Sequence, residues 1–183
     1  MDDIPIPTPA PTPTPTGRIR RRDPSDLDAC VEVLAAVHAT DAYPSNWPEQ
    51  PGEWLTQPSL LGAWVADLGG HVAGHIALTR SGPDDAAPAL WSLRAGAPAE
   101  DTAVISRLFV SPTARGHGIG ARLMASAVRD AEERALHPVL DVLASDTAAA
   151  ALYERLGWSL LGSVDQRWSP TRTVTVHCYA APT

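Results

Sequence analysis

Cysteine is almost missing from this 183-residue chain. Cys30 and Cys178 are the only two, and neither stands in a metal-ligand pair. No disulfide framework and no metal centre is expected, and free thiols in a reducing cytoplasm are the plain reading. Long hydrophobic runs are missing too, since none approaches the ~20 residues of a membrane span. Positive charge is in deficit. The formal net charge of −7 argues against nucleic acid as a general partner. One basic cluster, Arg18-Ile19-Arg20-Arg21-Arg22, alternates about Ile19 like an edge strand with a solvated face. The first residues lack the basic start and apolar core of a signal peptide. Pro5 to Thr16 is almost pure Pro, Thr and Ala, with nothing to bury. Residues 1–16 are therefore expected to be a disordered, extended tail. Residues 17–183 have the length of one domain, without internal repeats.

What is present reads as alternating strands and helices. Arg18 to Arg22 is a first strand. Asp23-Pro24 starts a helix, with Asp23 as N-cap and Pro24 at the first helical position. Leu27, Cys30, Val31, Leu34 and Val37 continue it at helical spacing to about Ala39. A proline-broken aromatic loop, Tyr43 to Pro51, leads to a short helix over Gly52 to Gln57. Ala63 to Ala66 and Val72 to Thr79 form a hairpin through Gly69-Gly70. Within the long segment Ser81 to Asp101, Ala89 to Ala95 reads as a hidden helix ended by Gly96. Val104 to Val110 is a strand, and Ile119 to Leu136 an amphipathic helix. Pro138 to Ala144 is a near-continuous apolar strand, as in a sheet covered on both faces. Thr147 to Leu156 is a helix stopped by Gly157. Trp158 to Val164 and Arg172 to Tyr179 close the chain as strands.

Arg115-Gly116-His117-Gly118-Ile119-Gly120 lies between the strand ending at Val110 and the helix opening at Ile119. A glycine-rich turn there lets several backbone N–H groups converge at a positive helix N-terminus, a ready phosphate cradle. The spacing and its place deep in the chain fit neither a dinucleotide loop nor a Walker loop. Taken alone, the pattern also suits a plain glycine-rich helix start.

Two motifs together resemble the GCN5-related N-acetyltransferases, the GNAT superfamily. Arg115, Gly118 and Gly120 match that family's loop, Gln/Arg-x-x-Gly-x-Gly/Ala. Asp146-Thr147-Ala148-Ala149-Ala150-Ala151-Leu152-Tyr153-Glu154-Arg155-Leu156-Gly157-Trp158 matches its second element, with Asp146 in place of the usual Asn. The resemblance is sharp over Ile105 to Gly162 and loose from Arg18 to Thr79. It implies an α/β (α+β) fold with a mixed, mostly antiparallel sheet of six to seven strands and helices on both faces. It implies acetyl-CoA as co-substrate. The pantetheine arm would pair with backbone at Phe109 or Val110, as a peptide adds to a strand edge. The pyrophosphate would sit on N–H groups from Gly116 to Ala121, through His117, Gly118, Ile119 and Gly120. His117 itself is expected to be an exposed loop residue. Asp146 either contacts the cofactor or caps the helix that follows.

The implied chemistry is acetyl transfer from the thioester to a primary amine. An amine of pKa ~10 must lose a proton, which costs about 4 kcal/mol at neutral pH. Tyr153 matches the family's general acid; otherwise it is a core aromatic. Asp141, the only charge in its strand, stands where the ribosomal-protein alanine acetyltransferases carry a Glu base. Equally, it reads as a structural carboxylate bonded to backbone or to Arg107. His75 and His177 are further candidates, or satisfied sheet histidines.

The acceptor pocket is expected in Ala39 to Gln57 and Ser81 to Asp101. Tyr43, Trp47 and Trp54 would form an apolar wall, with Trp91 over the mouth. Asp41, Glu49 and Glu53 would draw a cationic amine; alternatively the tryptophans simply pack the domain. The expected partner is a small-molecule amine, with no nucleic acid and no membrane, in a monomer or homodimer. The alternatives are a catalytically silent acyl-CoA-binding regulator and a protein N-terminal acetyltransferase.

Overall fold

The computed structural model describes residues 17–183, and the Pro/Thr segment 1–16 lies outside the described residues. The elements run β1 (Arg18–Arg21), α1 (Leu27–Asp41), α2 (Pro51–Leu55), β2 (Leu60–Leu68), β3 (His71–Arg80), α3 (Ala86–Ala95), β4 (Thr102–Val110), α4 (Ile119–Glu133), β5 (His137–Leu143), α5 (Thr147–Arg155), β6 (Ser159–Ser169) and β7 (Arg172–Ala180). All seven strands form one sheet in the order β1-β2-β3-β4-β5-β7-β6. Only β4 and β5 pair in parallel. The succession of elements along the chain and the mixed, mostly antiparallel sheet are those expected from the sequence. None of the described helices is long and apolar enough to cross a membrane.

Local chemistry sets most boundaries. Asp23 accepts the Ser25 N–H at 2.9 Å and Asp26 bonds back to the Asp23 N–H at 2.7 Å. This reciprocal cap closes one 3₁₀ turn, Pro24–Asp26, ahead of α1. The β2–β3 turn is two residues, Gly69 and Gly70, both at positive φ, as a tight hairpin of matching twist requires. Helix α4 stops at Glu133 rather than Leu136. Ala135 turns left-handed, Leu136 donates back to the Ala131 carbonyl, and Pro138 lies just beyond.

Helices cover both faces. On β2, Trp64 and Val65 point to opposite sides, as strand neighbours must. Trp64 joins the core that α4 covers, with Ile76, Leu78, Ile105, Leu123 and Met124. Val65 joins the core under α1, with Cys30, Leu34 and Phe109. A third cluster lies under α3, where Ala87 meets Val104, Val139 and Cys178.

Two irregularities open the middle of the sheet. First, β4 and β5 pair only over Thr102–Val104 and His137–Val139. Beyond that, β4 stays with β3 and β5 with β7, so the two strands part into a V. Second, β4 is bulged. Ala77 pairs with Ser106 and His75 with Phe109, so Ile76 faces two residues, Arg107 and Leu108. Arg107 takes a φ of 51°. Such a bulge bends a strand and re-aims its side chains.

His75 pins the bulge. It is fully buried and stacked on Phe109 at 5.1 Å. Its Nδ1–H donates to the Arg107 carbonyl at 2.9 Å, and its Nε2 accepts from Arg22 at 2.9 Å. Arg22 also donates to the Leu55 carbonyl, so the basic cluster of β1 is spent partly inside the fold. Arg20 likewise pairs with Asp26 and Asp67, and Arg21 with Asp130. Burial depresses the His75 pKa from 6.5 to about 3. The folded state therefore holds His75 neutral where the unfolded chain would bind a proton. Its contribution is complete above pH 6.5 and is lost as pH falls from there toward 3, by up to about 1.4 kcal/mol per unit. Denaturant midpoints should drop between pH 7 and pH 5 in the wild type, and less steeply in His75→Gln. An unchanged slope in the variant would remove His75 as the source.

Candidate active site

The V between β4 and β5 opens toward the N-terminus of α4. There Gly116 and Gly118 take φ of 81° and 72°, and an added Cβ at either would meet nothing within 4 Å. The turn is thus open to solvent on the side a ligand would approach. Gly118 is the N-cap of α4 and offers no side-chain cap. The Arg122 N–H is the first to find a carbonyl, that of Gly118. Those of Ile119, Gly120 and Ala121 meet no acceptor among the described residues. Three unpaired donors at the positive end of a 15-residue helix fit a pyrophosphate. His117 is exposed, as expected of a loop residue whose backbone matters more than its ring.

Strand β4 supplies the cleft's other wall. Ser111 donates to the Ala73 carbonyl at 2.8 Å, so its backbone faces β3. Backbone groups of successive strand residues point to opposite sides, which turns those of Val110 into the V. The Val110 carbonyl is within reach of Arg115 Nε at 3.2 Å. Phe109, by contrast, pairs with His75 and buries its ring under α1. Of the two expected strand-edge contacts, Val110 is the one turned toward the V, with its carbonyl accepting from Arg115 and its N–H without a partner among the described residues.

Around the opening stand Tyr43, Arg107, Asp146 and Tyr153. Tyr153 is 7% exposed, between Trp158 and Tyr179 at ring distances of 6.1 and 5.9 Å. Its hydroxyl makes no hydrogen bond among the described residues. Burial raises its pKa well above the usual phenol range, and the proximity of Tyr43 and Asp146 adds to the rise. Burial likewise pushes Tyr43 up to about 12, against the pull of Arg107. The Asp146 carboxylate accepts the Ala149 N–H at 3.0 Å and caps α5.

A family model described as the acetyltransferase (GNAT) family matches residues 30–158, well over half the chain. The chain belongs to the GNAT acetyltransferase family. Solved structures agree on the fold. A ribosomal-protein-alanine N-acetyltransferase from Brucella melitensis is 24% identical, with TM-score 0.67, over 89% of this chain and 98% of that one. An N-acetyltransferase from Staphylococcus aureus Mu50 is 20% identical, with TM-score 0.68, over 90% and 97%. The yncA protein of Salmonella typhimurium, solved with its cofactor acetyl-CoA, is 20% identical, with TM-score 0.62, over 90% and 92%. No curated protein matches.

Within this GNAT fold several sequence expectations move. Asp141 is tied to the backbone of α3. Its oxygens accept the N–H groups of Ala86 and Ala87 at 3.2 and 2.9 Å, so it caps α3 from a neighbouring strand. It bonds backbone, and Arg107 is not its partner. Trp91 does not cover the mouth. It stacks on His137 at 5.1 Å, at the closed end where β4 and β5 still pair. Trp47 leans on His38 at the rim and is 40% exposed. Tyr43 and Trp54 do meet, edge to face at 6.4 Å. The acids do not line this wall. Asp41 is paired with Arg115, and Glu49 and Glu53 are exposed. His177 bonds Ser163 at 2.8 Å on the β6–β7 pair.

The charge that does face the wall is Arg107. Sequence reading considered it only as a partner for Asp141. Its guanidinium lies 4.4 Å from the Trp54 ring centre, beside Tyr43. The signal that finds it is the bulge, which the sequence pattern does not display.

Proposed function

We propose that the protein is an acetyl-CoA-dependent N-acetyltransferase that moves an acetyl group directly to a primary amine. The opening of the sheet beside three unpaired helix N–H groups carries this reading. Acetyl-CoA supplies the activated acyl group and a leaving thiol. The N–H groups of Ile119, Gly120 and Ala121 receive its pyrophosphate, and the Val110 backbone pairs with the pantetheine amides. The Val110 N–H, aimed into the V, orients the thioester carbonyl. Tyr153 donates its proton to the departing sulfur. Its raised pKa keeps that proton in place across the physiological range.

The proton of the amine leaves through water. His75 is buried with both ring nitrogens bonded, and Asp141 is bonded to α3. With an acceptor pKa of ~10, the neutral fraction grows about tenfold per pH unit below it. Thiol release from acetyl-CoA over a panel of amines tests the reading. Expected is turnover whose kcat/KM rises from pH 6 to 9 without a plateau. A plateau above pH ~6.5 would assign the proton to a histidine. Tight acetyl-CoA binding with no thiol release from any amine would make the protein a silent acyl-CoA binder.

A further inference from the structure

Arg107 is the least satisfied charged group at the cleft. An arginine carries five N–H donors. The only hydrogen bond the Arg107 side chain makes among the described residues is to its neighbour, the Ser106 hydroxyl, at 3.3 Å. Its Nε is buried and has no partner. No described carboxylate reaches ion-pair distance of it. Asp85 is close enough to favour its charge but spends an oxygen on the Gly82 N–H at 2.7 Å. A buried donor without an acceptor is costly, and natural folds keep few of them. This one stands beside Tyr43 and Trp54, where a ligand can supply the acceptor.

Its position says which ligand. Arg107 lies on the bulge, two residues before Phe109, or roughly 7 Å of strand. The phosphate cradle lies the other way, past the end of β4. Arg107 is therefore on the acceptor side, over the Trp54 ring and beside Tyr43. The ring holds the guanidinium by cation–π contact, and apart from the bond to Ser106 its N–H donors are left for a carboxylate. With Asp41 paired and Glu49 and Glu53 in solvent, the free charge in this wall is positive.

We infer that Arg107 is a carboxylate subsite, and that the acceptor is an amino carboxylate, a free amino acid or close analogue. The inference rests on the transferase reading and replaces the cationic amine expected from the acidic loop residues.

The test pairs each amino acid with the amine left by its decarboxylation, in thiol release with acetyl-CoA. At least one acid should exceed its decarboxylated partner in kcat/KM by tenfold or more. Arg107→Gln should lower kcat/KM for that acid about thirtyfold, through KM, and close the gap. Arg107→Lys should recover part of it, since charge survives without the fork. Arg107→Met, which keeps the stem packed on Trp54, should behave as Gln. Circular dichroism controls for folding. Equal use of acids and amines, or equal slowing of both by Arg107→Gln, overturns the subsite. If no acceptor releases thiol, the transferase reading fails separately. Calorimetric titration of the same pairs into CoA-loaded wild type and Arg107→Gln then decides. Equal affinity for acid and amine overturns the subsite there too.

Discussion

Gly120→Glu should cripple acetyl-CoA binding and leave the fold intact. Gly120 is the second residue of α4 and carries ordinary helical backbone. A Cβ there would meet only Leu152 Cδ2, at 3.4 Å, the end of a flexible side chain. Within a helix any ordinary residue is also intrinsically better than glycine, by up to about 1 kcal/mol. The new carboxylate would settle on the unpaired N–H groups of Ile119 and Ala121, stabilising the helix by complementing its dipole. That is the place a pyrophosphate needs. Bulk and like charge then act together, and affinity should fall by at least ~10²-fold, about 2.7 kcal/mol or more. Gly118 is the poorer position for this experiment, because its φ of 72° strains any replacement. Calorimetry with CoA, on a variant with native circular dichroism and melting, reads the result. Undiminished affinity in a folded variant would remove the cradle from α4.

The parts of the fold that the sequence announces are those whose causes are local. The glycine turn, the Asp23 cap and the Gly69-Gly70 hairpin each need particular residues within a few positions, and each stands where expected. Helix α3 shows the opposite. Its expected start was Ala89, whereas the helix begins at Ala86. The group that satisfies its first N–H groups is Asp141, a residue of β5. No local pattern can display a cap that arrives from another strand. Strand β6 was expected to end at Val164 and runs to Ser169. Asp165, Gln166 and Arg167 are polar because β6 is an edge strand, and pairing with β7 alone holds them extended.

The site divides along the same line. The places of Tyr153 and of the loop from Gly116 to Gly120 were legible because a motif is a local constraint. The aromatic wall was only half legible. Tyr43 and Trp54 meet as expected, but the charged side chain against them is Arg107. Asp41 meets Arg115 across the fold, and α2 turns Trp54 inward while Glu53 stays in solvent. The bulge at Arg107 reverses the strand's alternation from that point, so the Val104 to Val110 pattern hides which side chains enter the V.

Tyr153→Phe should lower kcat about 10²-fold with little change in acetyl-CoA affinity. The ring packs between Trp158 and Tyr179 and supplies most of the residue's contact. Phe keeps that packing. The hydroxyl has no hydrogen-bond partner among the described residues, so its removal strands no protein donor or acceptor. Melting should stay close to the wild type on either reading, so it is the rate that separates the acid reading from a core role. If Tyr153 were only a core aromatic, both stability and rate would survive the change. If it gives its proton to the leaving sulfur, the departing thiolate must instead find one from water, and the chemical step slows. A more acidic leaving thiol needs less help. The penalty of Tyr153→Phe should therefore shrink with an acetyl thioester of a low-pKa thiol. A penalty that is independent of the leaving group would place the loss in positioning rather than in proton transfer.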